Sequence, residues 1–278
     1  MRNIAFSLFG IDIYWYGLMI LCGVIAAAAI ATRLSRKRGY SSDMVMDFLL
    51  LALPLGIIGA RLYDVAFEWD YFQHHLNEIF SLQMQGLAIY GAVIGGLVAA
   101  LIMCKWRKMS FWDLVDSAMP GLILAQAIGR WGNYFNQELY GAAIQNVSLR
   151  VLPDLALFPP AVQIGEQWHL ALFLIESLLN VLVFVLLMML WKKRPLLRGG
   201  AFFGYITLYG TVRAVLEGLR LPQFSLMWGP FRVSQMLSVL IAIVGLIMLI
   251  RIAKTGGFAA KEVPKAYQAK EREGKSSG

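Results

Sequence analysis

Two short stretches hold most of the residues that could do chemistry. In LYGTVRAVLEGLR, Tyr209, Arg213, Glu217 and Arg220 fall at i, i+4, i+8 and i+11, a spacing that stacks them along one face of a helix. One polar stripe on an otherwise apolar helix suits a cavity holding water or a charged headgroup. An internal Arg213–Glu217 salt bridge that only joins helices is the plainer alternative. In GRWGNYFNQELYG, residues 129–141, Arg130, Asn133, Asn136 and Glu138 lie within nine residues at the end of a hydrophobic segment. Arg130 can fork onto a phosphate, the two asparagines supply amide donors without adding charge, and Glu138 could pin an arginine. Gly129, Gly132 and Gly141 permit tight turns and close approach of a ligand. A snorkelling Arg130 followed by a turn is the plainer alternative here.

The elements that position these residues are set by composition. The 278-residue chain is 59% hydrophobic and 15% charged, and its mean hydropathy is +0.63. Such values exclude an ordinary water-soluble domain and indicate a multi-span membrane protein. Crossing the hydrocarbon core takes about 20 apolar helical residues. Seven segments qualify: 13–32, 46–67, 87–104, 112–128, 169–190, 201–219 and 233–252. The fourth is the least hydrophobic, with Asp113, Asp116 and Pro120, and the sixth carries the stripe.

Cationic loops stay in the cytoplasm. Loops one, three and five read RLSRKRG, KWRKMS and WKKRPLLRGG, whereas EWDYFQHHLNEIF after the second segment is mixed in charge. The expected fold class is therefore all-α, a polytopic membrane protein with seven transmembrane helices, its N-terminus outside and its C-terminus cytoplasmic. Residues 1–254 are expected to form one membrane domain with an outer loop at 131–168. Residues 255–278 form a basic cytoplasmic tail, expected to be disordered.

The net charge of +8 lies in the cytoplasmic loops and tail, where anionic headgroups are the natural partner, so the lipid bilayer is expected and nucleic acid is not. The N-terminus has no basic region followed by a small-residue cleavage site, so the first segment is read as retained. Cys22 and Cys104 lie inside apolar segments and read as small filler; no metal site is expected. Internal repeats, a Walker motif, HExxH and a serine nucleophile elbow are not apparent.

Ionisable groups at membrane depth are expensive and tend to mark function. They cluster here: Arg61 and Asp64 one turn apart in the second segment, Asp116 in the fourth, Glu176 in the fifth, and the stripe in the sixth. Arginines on separate helices, shielded from water, suit an anionic headgroup, because screening is weak there. Phospholipid is therefore the expected ligand, and these residues alone specify no reaction.

GRWGNYFNQELYG closely resembles the signature of the bacterial prolipoprotein diacylglyceryl transferases, written around GR-x-GN-x-x-N-x-E-x-x-G. Its fixed positions are filled here by Gly129, Arg130, Gly132, Asn133, Asn136, Glu138 and Gly141. The similarity runs along nearly the whole chain. IYWYGLMI resembles the family's WYGLM segment and brings Tyr16; GARLYDVAFEW resembles its GAR-x-x-Y stretch and brings Arg61. FWDLVDSAMPGLILAQAIGR brings Asp116 and Gln126. LYGTVRAVLEGLR with VSQMLSV is similar to YG-x-x-R-x-x-x-E-x-x-R and SQ-x-LS, bringing Tyr209, Arg213, Glu217, Arg220, Ser234 and Gln235. Two segments depart: GLAIYGAVIGG has Tyr90 where histidine is common, and LALFLIES keeps only Leu174 and Glu176 of an LYE run that usually follows a proline.

The resemblance implies transfer of the diacylglyceryl group of phosphatidylglycerol to the lipobox cysteine thiol in the signal peptide of a preprolipoprotein. A thioether forms, glycerol phosphate leaves, and no cofactor is implied. It also implies the bacterial cytoplasmic (inner) membrane. Arg130 and Arg213 would grip the phosphate, with Glu217 and Glu138 holding the arginines. Tyr16, Asn133, Arg61, Asn136, Gly141, Tyr209 and Arg220 would complete the phosphatidylglycerol site. Tyr90 is the candidate base or proton relay, or else shapes the cavity. A membrane protein that binds or moves phospholipid without chemistry, and a relative with a changed acceptor, are the alternatives.

Overall fold

The computed structural model describes residues 3–8, 11–79, 89–194, 197–221 and 227–268. Among them are seven helices of 18 residues or more: α1 (Trp15–Arg36), α2 (Asp43–Phe67), α4 (Ile89–Trp106), α5 (Phe111–Gly129), α7 (Leu172–Lys193), α8 (Gly200–Leu219) and α9 (Val233–Thr255), with the short α3 (Trp69–Phe72) and α6 (Trp131–Asn136) between them. Each overlaps one of the seven apolar segments; Leu87 and Ala88, read as the start of the third, lie outside the described residues. Helices α1, α2, α7 and α9 are long and apolar enough to cross a membrane, and residues 90–106 form a shorter apolar helix. Large apolar side chains such as Leu50, Leu62, Leu240 and Ile247 are exposed along α2 and α9. In water such surfaces would be unfavourable by ~25 cal/mol per Å2. A bilayer removes that penalty, and helices satisfy their backbone polar groups internally. The chain is thus a mostly helical, multi-pass membrane protein.

The all-α expectation needs one correction. Between the short helix α6 (Trp131–Asn136) and α7, the segment expected to be a plain outer loop forms a five-stranded antiparallel sheet in the order β3-β7-β6-β5-β4. Its strands are β3 (Ala143–Ile144), β4 (Ser148–Leu152), β5 (Leu155–Phe158), β6 (Pro160–Ile164) and β7 (Gln167–Leu170). His169, read as the start of the fifth membrane segment, pairs with Ala143 in the sheet, so α7 begins only at Leu172. Hairpins β1 (Ile4–Leu8) with β2 (Ile11–Tyr14), and β8 (Met227–Trp228) with β9 (Phe231–Arg232), precede α1 and α9.

Two compact units divide these elements: Met1–Ala31 with Asp116–Ala259, and Thr32–Val115 with Ala260–Gly278. In the first, α1 and α5 meet closely. A Cβ on Gly23 would lie 3.1 Å from the Ala125 carbonyl oxygen, and one on Gly121 would lie 2.6 Å from that of Ala27. Fully buried Asp116 caps α8 from a different helix, its carboxylate accepting the N–H groups of Gly199 at 2.7 Å and Phe202 at 2.9 Å. A negative charge at a helix N-terminus satisfies otherwise orphaned donors and opposes the positive end of the dipole. The sheet is fixed by Leu155, Val162, Ala171, Phe173 and Leu174, against which Trp131 and Tyr134 of α6 pack.

In the second unit, α2 and α4 pack backbone to backbone. A side chain on Gly59 would strike the Gly91 carbonyl, one on Gly91 would strike that of Gly59, and one on Gly95 would strike that of Leu55. Small residues at such a seam allow dense packing in a bilayer, where helix association lacks a hydrophobic drive. The buried pair Arg38–Asp113, 2.9 Å, joins the end of α1 to the start of α5, and the Tyr40 hydroxyl donates to the same carboxylate at 3.2 Å.

The C-terminal segment departs from its expected disorder as far as Gln268. Tyr267 is buried in a short 3-10 turn, Lys265–Tyr267, and its hydroxyl donates to Asp47 at 2.6 Å, while Gln268 bridges to Tyr40. Burying an aromatic ring and giving its hydroxyl an acceptor offsets the entropy of ordering a polar segment. Burial and the Asp47 carboxylate push the Tyr267 phenol above its ordinary value, so it remains a donor at neutral pH. Residues 269–278 lie outside the described residues.

Candidate active site

Helix α5 ends at Gly129, and Arg130 caps the short helix α6, so its side chain leaves the junction of two helices. Nη2 of Arg130 lies 2.9 Å from Glu176 Oε1 on α7 and 3.5 Å from the Tyr209 hydroxyl on α8. One turn beyond Tyr209, Arg213 Nη2 donates to Glu217 Oε2 at 3.0 Å, and its Nη1 is 3.6 Å from Glu176. Arg220 completes the group, 3.4 Å from Glu217 and 3.8 Å from Glu176. Three arginines from two chain segments thus surround two buried carboxylates, and they lie close enough to repel one another electrostatically. Both carboxylate side chains are at most 3% exposed.

A cluster of this kind can bind an anion strongly. Planar guanidinium groups in a shielded site present forked donors to phosphate oxygens. Nη1 of Arg213 is buried with no aligned hydrogen-bond acceptor, which leaves its two N–H donors for a ligand oxygen. Ser234, at the start of α9, contacts Arg213 Nη2 at 3.5 Å, and Gln235 donates to the Ala214 carbonyl at 2.9 Å.

The signature loop closes largely on itself. Asn133, buried, and Asn136 both donate to Glu138 Oε1, at 2.9 and 3.3 Å. Glu138, expected to hold an arginine, therefore holds the asparagines. Positive φ angles at Gln137 (53°) and Leu139 (57°) fold the chain back to allow this. Gly132 lies against the Tyr16 ring so closely that any side chain would collide with it, which explains the glycine. Gly141 donates to the Leu170 carbonyl at 2.9 Å and bridges to Arg220, tying the sheet to the end of α8. Gln126 and Tyr205 hydrogen bond at 2.9 Å.

Arg130, Arg213, Glu217, Arg220, Tyr209, Tyr16, Asn133, Asn136, Glu138 and Gly141 all belong to the first unit. Arg61 and Tyr90 belong to the second. Arg61 pairs with Asp64 at 3.2 Å and donates to the backbone carbonyls of Glu78 and Ile79, 3.1 Å from the latter. Tyr90 is half exposed, with its ring 6.0 Å from that of Tyr63. Among the described residues no group of three or more His, Cys, Asp or Glu could hold a metal.

Glu176 was legible as a charge at membrane depth, yet spacing alone does not group it with Arg130, Arg213 and Arg220. Arg232 was also missed. It caps α9 and donates to the backbone carbonyls of Glu217 and Arg220, 2.9 Å from the latter, which fixes the end of α8.

The fold and this cluster define a multi-pass membrane protein with a shielded group of three arginines and two carboxylates in the same unit as a five-stranded sheet. The sequence profile of the prolipoprotein diacylglyceryl transferases matches residues 3–251. A phosphatidylglycerol–prolipoprotein diacylglyceryl transferase of Finegoldia magna is 41% identical over 255 residues, 91% of this chain and 97% of that protein. One from Listeria monocytogenes is 40% identical over 253 residues, 90% of each chain. One from Streptococcus pyogenes is 42% identical over 249 residues, 89% of this chain and 93% of that one. The chain belongs to the prolipoprotein diacylglyceryl transferase family and is a transferase.

Proposed function

We propose that the protein transfers the diacylglyceryl group of phosphatidylglycerol to the lipobox cysteine of a preprolipoprotein signal peptide. The observation that carries this reading is the shielded arginine cluster built partly by the signature loop of a chain from this family. The cysteine loses its thiol proton, and the thiolate attacks the glyceryl carbon that carries the phosphate oxygen. A C–S bond forms, the C–O bond breaks, and the electron pair leaves on glycerol phosphate. A thiol of ordinary pKa ~8.5 is a poor nucleophile until deprotonated, so a cationic site and a proton acceptor both favour the step. Arg130 and Arg213 hold the phosphate and offset charge developing on the leaving oxygen, an effect worth ~3 kcal/mol per donor. Arg220 adds to this field.

Glu217 positions Arg213 and Arg220; Glu138 positions Asn133 and Asn136, which with Tyr16, Tyr209 and Gly141 receive the headgroup. Arg61 contacts a further part of the lipid, and Tyr90 accepts or relays the thiol proton. The substrate supplies the nucleophile, so no covalent enzyme intermediate forms. Seven spans with the N-terminus outside put the signature loop and its sheet on the outer face of the bacterial cytoplasmic membrane, with residues 255–278 in the cytoplasm. Support for this orientation comes from the basic loops RLSRKRG, KWRKMS and WKKRPLLRGG.

The test is to incubate membranes containing the protein with acyl-labelled phosphatidylglycerol and a lipobox peptide. Label on the peptide cysteine supports transfer; label merely bound or moved between leaflets contradicts it.

A further inference from the structure

Glu176 sits among three cations, and its Oε1 makes an aligned hydrogen bond to none of them. Its Oε1 lies 2.9 Å from Arg130 and 3.6 Å from Arg213, and its Oε2 lies 3.8 Å from Arg220. Neither Oε1 nor the facing Arg213 Nη1 makes an aligned hydrogen bond. Charge-assisted bonds are favoured near 2.7–2.9 Å with good alignment, so Arg213 and Arg220 are attracted to Glu176 but still open to another acceptor. Both also contact Glu217, at 3.0 and 3.4 Å.

Charge arithmetic gives this geometry a consequence. The five side chains joined by these ion pairs carry three positive and two negative charges, leaving one positive charge. A phosphodiester carries one negative charge, whereas a phosphate monoester carries about 1.5 to 2 at neutral pH. The transfer reaction converts the first into the second. Arg232 holds the backbone carbonyls of Glu217 and Arg220 and takes no part in these ion pairs; the ion-paired cluster itself, with a residual charge of one, matches the substrate and leaves the product in excess negative charge beside two buried carboxylates, where repulsion is weakly screened.

We propose that Glu176 tunes the arginine site to a monoanionic phosphodiester and disfavours retention of the more highly charged phosphate monoester, so that product leaves. The proposal rests on the reading that this cluster holds the lipid phosphate. Glu176 acts as a positioning residue through the arginines, and it competes with the ligand for them. A strut that merely held the arginines in place would behave in the opposite way, because its loss would weaken every anion.

The experiment uses the full-length protein in detergent micelles with phosphatidylglycerol and a lipobox peptide. Inhibition is measured with glycerol phosphate, a monoester, and glycerophosphoglycerol, a soluble diester, for the parent, Glu176→Gln and Glu176→Asp. The neutral, near-isosteric glutamine should tighten glycerol phosphate inhibition about tenfold and tighten diester inhibition much less. Aspartate should keep the parent's ratio of the two. If Glu176→Gln is too slow to assay, equilibrium dialysis of labelled glycerol phosphate against the folded variant reads the same change. Unchanged or weaker monoester binding to Glu176→Gln overturns the proposal while leaving the phosphate site standing. Failure of both compounds to inhibit or bind the parent overturns the phosphate-site reading and this proposal with it.

Discussion

Glu138 Oε1 accepts the amide of Asn133 at 2.9 Å, so the acid of the signature loop organises that loop and not an arginine. Truncation in Glu138→Ala leaves the buried Asn133 amide without its acceptor, at a local cost of about 1–3 kcal/mol. The expected result is a raised KM for phosphatidylglycerol and a lower melting temperature in detergent. Parent-like values for both would assign Glu138 no part in ordering the loop.

Arg213 reaches Glu217 through one guanidinium nitrogen and leaves another without an aligned acceptor. Lysine keeps the charge but loses the planar fork. Arg213→Lys should therefore insert normally yet lose activity by about 100-fold or more, the scale of removing one transition-state donor. Near-normal turnover would reduce Arg213 to an internal ion pair.

Asp116 accepts two backbone N–H groups at the start of α8. In Asp116→Asn one acceptor becomes an NH2 group facing a donor, and the charge opposing the helix dipole is lost. A stability loss of about 1–3 kcal/mol is expected, read as a lower melting temperature, while the fraction that stays folded transfers lipid at the parent rate. A parent-like melting temperature would contradict the capping role.

Tyr90→Phe removes only a hydroxyl. As base or relay, Tyr90 requires this variant to slow the chemical step with lipid affinity nearly unchanged, and Tyr90→His to retain activity with the rising limb of its pH profile moved toward ~6.5, the unperturbed imidazole value. A Phe variant as fast as the parent would make Tyr90 a packing residue beside Tyr63.

The long helices were legible because a run of apolar residues long enough to cross a bilayer has few other uses. The start of α7 was misplaced because Trp168, His169 and Leu170 continue the apolar run in sequence but belong to β7. The strands of this sheet have two to five residues and their burial does not alternate along the chain, so no period-two pattern stands out. In the site, Arg213, Glu217 and Arg220 were readable from helical spacing alone. Glu176 was not, since its partners Arg130, Arg213 and Arg220 are brought to it by tertiary packing. Glu138 was assigned the wrong partner because Coulomb attraction suggests an arginine, whereas two positive-φ residues turn it toward its own asparagines. Tyr267 was hidden in a charged tail whose average composition says nothing of one buried ring.

In the proposed transfer carbon, not phosphorus, is attacked, and the phosphate leaves on the headgroup glycerol. Phosphatidylglycerol carrying one isotope in its acyl chains and another at phosphorus tests it most directly. The acyl label is expected to become bound to the lipobox cysteine through a thioether while an equal amount of phosphorus label is released as water-soluble glycerol phosphate. Both labels remaining together, whether on the peptide or in the lipid, would contradict it.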